Sequence, residues 1–191
     1  MEVMVSVFKE IEPTYRPLHP RPVYLIVSGR VGEKLNVMAA SWVMPVSEEP
    51  LRIAIAVERE TYTFDLIEEY KEFTINVVDD KLLDKVWRAG TTSGRGRDKV
   101  REIGLELEEP LKTKVPGIRE ALSIIECRVW KHLDTGEVRL YVADVVSVRV
   151  KTEYYNERYG WDIRRASILM HLSGRAFTVP GRLLIVGYKK K

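Results

Sequence analysis

The stretch ALSIIECRVWKHLDTGEVRLYVADVVSVRVK, residues 121–151, predicts two long β-strands joined by a tight turn. Both arms, 121–133 and 137–151, are rich in β-branched residues, as strands are. The Asp-Thr-Gly sequence at 134–136 between them is a strong hairpin signal. Because a hairpin joins antiparallel strands, this segment favours an antiparallel β architecture.

The flanking sequence adds more strands, with short helices between them. Further strands are predicted at 23–31, 36–44, 51–58, 72–79, 168–172 and 182–188, and helices at 61–70, 82–90 and 97–105. Residues 13–22, rich in proline, read as an extended lead-in, and a loop is expected through Pro45 and Pro50. Consecutive strands without long crossover helices predict an antiparallel barrel in a single domain over residues 1–191.

Charge and hydropathy exclude several functional classes. The chain has 31 basic and 28 acidic residues, a balance that argues against a nucleic-acid-binding protein. It has no apolar run long enough to span a membrane, and its start lacks a signal-peptide pattern, so a cytoplasmic location is expected. It contains no glutamine, and Glu, Lys and Arg dominate its polar residues, a bias that resembles thermophile proteins.

Familiar catalytic and metal-binding patterns are missing. The one cysteine, Cys127, lies in an apolar stretch and is expected to be a buried structural thiol. The three histidines are His19, His132 and His171, and none has metal-ligand spacing to another histidine or to the cysteine. The sequence lacks a GxGxxG, a P-loop and a GxSxG elbow. We therefore predict no metal site and assign no catalytic residue.

Two segments have the composition of an anion site. Thr61 and Thr63 begin a predicted helix directly after Arg59, and a helix N-terminus offers free N–H groups and partial positive charge. Residues 91–99, TTSGRGRDK, place hydroxyls, two glycines and three cations before another helix. Ordinary N-capping explains the first segment equally well, and a mobile basic loop explains the second.

A row of small residues ends on a tryptophan in the stretch NVMAASWVMPVSEEP, residues 36–50. Ala39, Ala40 and Ser41 would let a ligand approach the strand, and Trp42 offers a flat face. The alternative is an ordinary core tryptophan. Together with the anion motifs, this stretch suggests a flat phosphorylated ligand, and flavin mononucleotide (FMN) has that shape.

At this point the sequence resembles the flavin reductase-like, FMN-binding split-barrel family, its flavoredoxin branch in particular. The resemblance runs from about Pro22 to about Gly181 and rests on segments in family order. These are RPVYLIVSG, NVMAASWVMPVSEEP, ERETYTFDLI, EFTINVV, SGRGRDKVREIGL, IIECRV, YVADVVSVRV and ILMHLSGRAFTVPG. The resemblance implies an antiparallel split barrel with FMN at a homodimer interface.

The same resemblance assigns roles to residues. It implies that the flavin ring is lined by Asn36, Ala40, Ser41 and Trp42, and the family often has a threonine where this chain has Ala39. It implies contacts to the phosphate and ribityl chain from Thr61, Thr63 and Lys99, with Arg59 and Arg97 as helpers. It places His171 and Phe177 near the ring, contributed by the partner subunit.

The function implied is that of an oxidoreductase, in which NADH or NADPH reduces the flavin and the electrons pass to an acceptor. The cofactor supplies the chemistry of such a reaction, so a missing catalytic triad is expected. Two alternatives remain open at this point. One is a non-enzymatic FMN-binding electron carrier reduced by a protein partner, and the other is a structural barrel with an unused site.

Overall fold

The fold, in a computed structural model that describes residues 8–186, consists of short helices and many antiparallel strands. The strands are β1 Arg21–Pro22, β2 Tyr24–Gly29, β3 Leu35–Ala40, β4 Val43–Glu48, β5 Leu51–Glu58, β6 Glu72–Val77, β7 Leu107–Glu108, β8 Gly117–Ile118, β9 Ser123–Thr135, β10 Val138–Val150, β11 Tyr155–Asn156, β12 Gly160–Trp161, β13 Met170–Ser173 and β14 Ala176–Thr178. The α-helices are α1 Tyr62–Tyr70, α2 Leu83–Thr91 and α3 Lys99–Ile103. Short 3-10 turns lie at Arg16–Leu18 and Asp80–Leu82.

Seven strands form one sheet in the order β3-β2-β6-β9-β10-β5-β4, and all neighbours in it are antiparallel. The predicted hairpin, β9 with β10, lies in the middle of this sheet. The two outer strands, β3 and β4, are joined by just two residues, Ser41 and Trp42. The sheet must therefore curl until its edges meet, although the two edge strands do not pair. The predicted antiparallel barrel is confirmed, with an open seam beside β3.

Strand β2 shows how the core is divided. Leu25 and Val27 face a cluster that includes Val86 of α2 and Val100 of α3, whereas Ile26 faces a second cluster inside the barrel. Because successive side chains of a strand point to opposite faces, β2 is buried on both sides. The helices α2 and α3 thus cover the outside of the sheet next to β3.

The predicted strand 36–44 is wrong in its extent. The structure ends β3 at Ala40 and starts β4 at Val43, which runs through Pro45 where a loop was expected. Proline is tolerated here because β4 is an edge strand and the register shifts between Pro45 and Ser47. The break places Ser41 and Trp42 at the seam of the barrel.

Two other predicted elements differ from the structure. No strand forms over the described part of 182–188, where Leu183, Leu184 and Val186 are exposed and lack a strand partner among residues 8–186; positions 187 and 188 lie outside the described residues. The predicted extended lead-in at 13–22 instead contains the Arg16–Leu18 turn before β1. Helix α3 ends at Ile103 because Gly104 follows in the left-handed conformation that terminates helices.

The single thiol is where the sequence predicted it. Cys127 is fully buried in the barrel interior, and burial raises its pKa, so it stays protonated. Within residues 8–186, no helix has the length and apolar character needed to cross a membrane.

Candidate functional site

A cleft of about 560 Å³, here called the polar cleft, lies beside β3 at the seam of the barrel. Its walls are β3, the crossing at Ser41 and Trp42, the start of α1, and the end of α2 with the loop that follows. Strand β3 has a strand partner on one side only, so its other edge is available to this space. The volume lies within the range of roughly 300–1,000 Å³ found for small-molecule sites.

The start of α1 contributes a capped helix end to the cleft. Thr61 caps the helix, because its Oγ1 accepts a hydrogen bond from Phe64 N at 3.2 Å and donates to Glu58 O at 2.8 Å. Thr63 is buried and accepts a hydrogen bond from Asn36 Nδ2 at 2.9 Å. The capping explanation therefore holds for Thr61, whereas Thr63 is held by β3.

The loop after α2 lies directly on β3. A Cβ atom built on Gly94 would lie 2.2 Å from Asn36 Oδ1, so only glycine fits at this close approach. Asn36 is 3% exposed, and its Oδ1 has no hydrogen-bond partner within the described part of the chain. An unpartnered buried oxygen is unfavourable by about 1–3 kcal/mol and marks a place where a polar ligand group would be accommodated.

Lys99 places a buried cation in the wall of the polar cleft. The side chain is 3% exposed, and its Nζ donates to Ala89 O at 2.7 Å. Burial, with a smaller contribution from the charge of Arg97, lowers the pKa of Lys99 to about 8. An ammonium group has three N–H donors, so Lys99 keeps donors for a ligand. An anion bound here would favour its charged form.

Aromatic rings gather at the other end of β3. Trp42 lies just beyond Ala40, the last residue of β3, whereas Asn36 lies near the start of the strand. Tyr15 packs edge-on against Trp42 with 5.3 Å between ring centroids, and His19 packs edge-on against His171 at 5.4 Å. Because His19 Nδ1 donates to His171 O at 3.1 Å, the N-terminal segment is tied to β13.

The small residues of β3 have a structural role as well. A Cβ atom built on Gly90 of α2 would lie 3.3 Å from Ala39 Cβ, so helix and strand pack closely at this point. Ala39 also packs against the core cluster that contains α2. A larger residue at 39 would push the helix away and change the width of the cleft.

Nine of the twelve predicted cofactor-binding residues line the polar cleft. They are Asn36, Ala39, Ala40, Ser41, Trp42, Thr61, Thr63, Lys99 and His171. His171 lines the cleft of its own chain. The contribution from a partner subunit that the resemblance implies stays a prediction. The structure thus joins segments that are up to 135 positions apart in sequence, from Asn36 to His171.

The other three predicted residues lie outside the cleft lining. Arg59 pairs with Asp134 at 2.7 Å, and Arg97 pairs with Glu102, so both helper arginines have carboxylate partners. Phe177 packs against the core and lies 5.1 Å from the His171 ring, behind the cleft wall. Each of these three side chains has a partner within residues 8–186. Their contacts with a cofactor stay predictions.

Sequence reasoning did not find Tyr15, His19 and Gly94 as site residues. The sequence gives His19 no metal-ligand spacing and no site role, but it lines the cleft together with Tyr15. The available signal was the proline-rich stretch 13–22, because prolines restrict a chain and can hold it in one path across a surface. Gly94 could have been found from its place between the hydroxyls and cations of residues 91–99.

Comparison with known proteins agrees with this geometry. Residues 15–175 match the model of the flavin reductase like domain. An uncharacterized protein of Archaeoglobus fulgidus is 44% identical over 131 residues, which cover 69% of this chain and 73% of the relative. One of Pyrococcus abyssi is 38% identical over 163 residues, 85% of this chain and 92% of the relative. The reductase component of a 4-nitrophenol monooxygenase from Rhodococcus opacus is 27% identical over 124 residues, 63% of each chain.

Solved structures show the same fold. Flavoredoxin from Methanosarcina acetivorans superposes with a TM-score of 0.83 at 24% identity, covering 95% of both chains. Nitrilotriacetate monooxygenase component B from Bacillus cereus gives 0.83 at 20% identity, covering 97% of this chain and all of the other. An FMN-binding protein from Thermus thermophilus gives 0.81 at 19%, with the same coverage. The chain is a split-barrel protein and belongs to the flavin reductase-like domain family.

Proposed function

We propose that the polar cleft binds FMN, with the phosphate at the Lys99 end and the flavin ring toward Trp42. The observation that carries this proposal is the buried Lys99 ammonium, which has a protein carbonyl as its partner but no carboxylate among the described residues. A buried cation without a counter-charge is unfavourable unless an anion joins it. A phosphate monoester is an anion of suitable size and charge.

The neighbouring groups support a phosphate end. The free N–H groups at the start of α1 and the Thr61 hydroxyl line the same space as Lys99. Asn36 and Thr63, joined by the Nδ2–Oγ1 hydrogen bond, line the cleft next to this end and would lie beside the ribityl chain. In this arrangement Asn36 serves the chain of the cofactor more than its ring.

The other end of the cleft supports a ring site. Ala39, Ala40 and Ser41 leave the strand edge open, so its peptide groups can hydrogen-bond the polar edge of a flavin. Trp42 is 37% exposed and presents an aromatic surface to the cleft. When bound, FMN would supply two-electron and one-electron redox chemistry, while these residues hold the ring and exclude water from one side of it.

We further propose that the protein is an NAD(P)H-dependent flavin oxidoreductase. The similarity to a monooxygenase reductase component supports this activity. In this proposal His171 and His19, with Tyr15, form the wall that receives the nicotinamide. The Nδ1–H of His19 is committed to His171 O and the Nε2 of His171 contacts Gly174 O at 3.1 Å, so main-chain carbonyls fix both imidazoles in place.

The second candidate is an electron carrier reduced by a protein partner. The structural likeness to flavoredoxin over nearly the whole chain favours it. Both functions use the same FMN site and differ in the electron donor. A nicotinamide must reach the ring directly, whereas a protein donor needs a docking surface beside Trp42.

Absorbance spectroscopy separates the two functions. The protein is loaded with FMN and titrated under nitrogen with NADH, then with NADPH, while absorbance is followed from 300 to 550 nm. Prompt bleaching by either nicotinamide is the result expected of the reductase. Bleaching by dithionite but by neither nicotinamide would identify the carrier, and a protein that takes up no FMN would refute both functions.

We also propose a homodimer. Met44, Val46 and Leu51 are 42–50% exposed, and Val148 of β10 is 52% exposed. They lie on the same sheet as a second cleft of about 300 Å³, here called the apolar cleft, which includes Met44, Val148 and Trp161. Exposed apolar surface of this kind is typical of protein interfaces. A second copy of the chain would cover it symmetrically.

A further inference from the structure

Arg95 fastens the loop after α2 to the start of α1. Its Nη1 lies 2.5 Å from Asp65 Oδ2, and its Nη2 donates to Glu60 O at 3.2 Å. The guanidinium carbon also lies 5.5 Å from the centre of the Tyr62 ring. Arg95 therefore makes three contacts with one helix end, although it does not line the polar cleft.

The residue before Arg95 completes this closure. A Cβ atom on Gly94 would lie 2.2 Å from Asn36 Oδ1 and 3.3 Å from Tyr62 Cδ1, so the loop contacts both β3 and α1. The three polar side chains nearby, Asn36, Thr63 and Lys99, are each at most 3% exposed. The loop at 93–95 thus covers the anion end of the cleft, where those side chains are buried.

A second arginine of the same loop behaves differently. Arg97 pairs with Glu102 of α3, which belongs to its own side of the cleft. Both arginines are about half exposed, and both pair with a carboxylate. Arg95 bridges two walls of the cleft, whereas Arg97 stabilises one wall. This difference gives a matched control within three positions of the chain.

We propose that the closure by Gly94 and Arg95 makes the cleft selective for a flavin that ends in a single phosphate. This inference rests on the proposed binding of FMN. A flavin dinucleotide continues beyond its first phosphate, and with that phosphate at Lys99 we expect its adenosine half to meet the 93–95 loop where the loop contacts β3 and α1. Arg95 is then a specificity-determining positioning residue, which acts by holding the loop and does not bind the phosphate itself.

The test compares FMN, FAD and riboflavin affinities of the full-length protein by fluorescence titration. The wild-type protein should bind FMN much more tightly than FAD. In Arg95→Gln the ratio of the FAD to the FMN dissociation constant should fall about tenfold, because a half-exposed ion pair and a charged hydrogen bond are lost. Arg97→Gln should keep the wild-type ratio. Thermal unfolding of both variants checks that they are folded.

Each other outcome contradicts the inference. Equal wild-type affinities for FMN and FAD would overturn it and leave FMN binding intact. The same fall in the ratio of dissociation constants in both variants would show a general effect of loop charge. An unchanged ratio in Arg95→Gln would show that the contacts of Arg95 do not determine the preference for FMN over FAD. A wild-type protein that binds none of the three flavins would refute the proposed function, and this inference with it.

Discussion

The two clefts of this barrel lie on one sheet and differ in the chemical groups that line them. The polar cleft contains a buried ammonium, an unpartnered amide oxygen and a helix N-terminus. The apolar cleft is lined mostly by side chains such as Val43, Ile53 and Val148. The groups of the first cleft suit an anion, whereas the second cleft presents apolar side chains. Strand β5 takes part in both clefts, through Ala56 and Val57 in the polar cleft and through Ile53 in the apolar cleft.

The largest expected effect concerns the buried cation. Lys99→Met removes the ammonium at nearly constant volume, and we expect FMN affinity to fall about 100-fold, as loss of a buried charge-assisted contact implies. Riboflavin lacks the phosphate, so its affinity should stay near the wild-type value. Titration of both flavins against the variant measures this. An equal loss of affinity for FMN and riboflavin would show that Lys99 acts by packing, and the polar cleft would then not be an anion site.

A carboxylate introduced in the apolar cleft should weaken the proposed dimer and leave FMN binding in the polar cleft unchanged. Val148→Asp would bury a carboxylate in the proposed dimer interface, and we expect the dimer to weaken about 30-fold, equivalent to about 2 kcal/mol. Sedimentation velocity over a concentration series measures the shift. Leu133→Asp, at an exposed position of β9 outside the apolar cleft, is the control. A wild-type protein that sediments as a monomer would refute the proposed dimer.

The pH dependence of FMN binding tests the role of Lys99 in the polar cleft. The pKa of Lys99 in the free protein is about 8, and a bound phosphate raises it by favouring the charged form. FMN affinity should therefore be level below about pH 7 and fall as the free protein loses this proton, by about fifteenfold between pH 8 and 9.5. Isothermal titration in two buffers should also show proton uptake on binding above pH 8. The Lys99→Met variant should lack this dependence, and a level wild-type profile would contradict the assignment.

The smallest expected effect concerns the N-terminus of α1, which lines the polar cleft and also contributes to the stability of the fold. Thr61→Ala removes the N-cap of α1 and should lower the free energy of unfolding by about 1 kcal/mol, with or without flavin. Urea denaturation monitored by circular dichroism measures this change. Thr152→Ala alters an exposed threonine of a turn and should leave stability unchanged. If Thr61→Ala changes only the flavin-bound form, the hydroxyl serves the ligand and not the helix.

Local patterns predicted much of this site. The β9–β10 hairpin, the capped start of α1 and the Ala39–Trp42 stretch all depend on neighbours in sequence, and each is found close to its expected place. The end of β3 was misjudged because a two-residue crossing between edge strands has no local signature. No strand forms over 182–186, the described part of the predicted final strand, because β-branched residues form a strand only when a partner strand is present.

The cations show where sequence reasoning reached its limit. The sequence predicts Lys99 as a direct contact to the cofactor and Arg59 and Arg97 as helpers. The fold pairs Arg59 with Asp134 and Arg97 with Glu102, and Lys99 is buried with no carboxylate partner among residues 8–186. Which charge remains for a ligand depends on partners that the barrel brings together from distant positions.

The sequence by itself determined the antiparallel strands, the family resemblance and the small-residue strand that ends on Trp42, because hydrophobic period and turn chemistry are local properties. The tertiary structure alone decided that Tyr15 and His19 join His171 beside Trp42, since this depends on the pairing of β1 with β13. It also decided that Arg95 bridges the cleft while Arg97 does not. Ion pairs and burial are set by distance in space, and distance in space follows from the closure of the barrel.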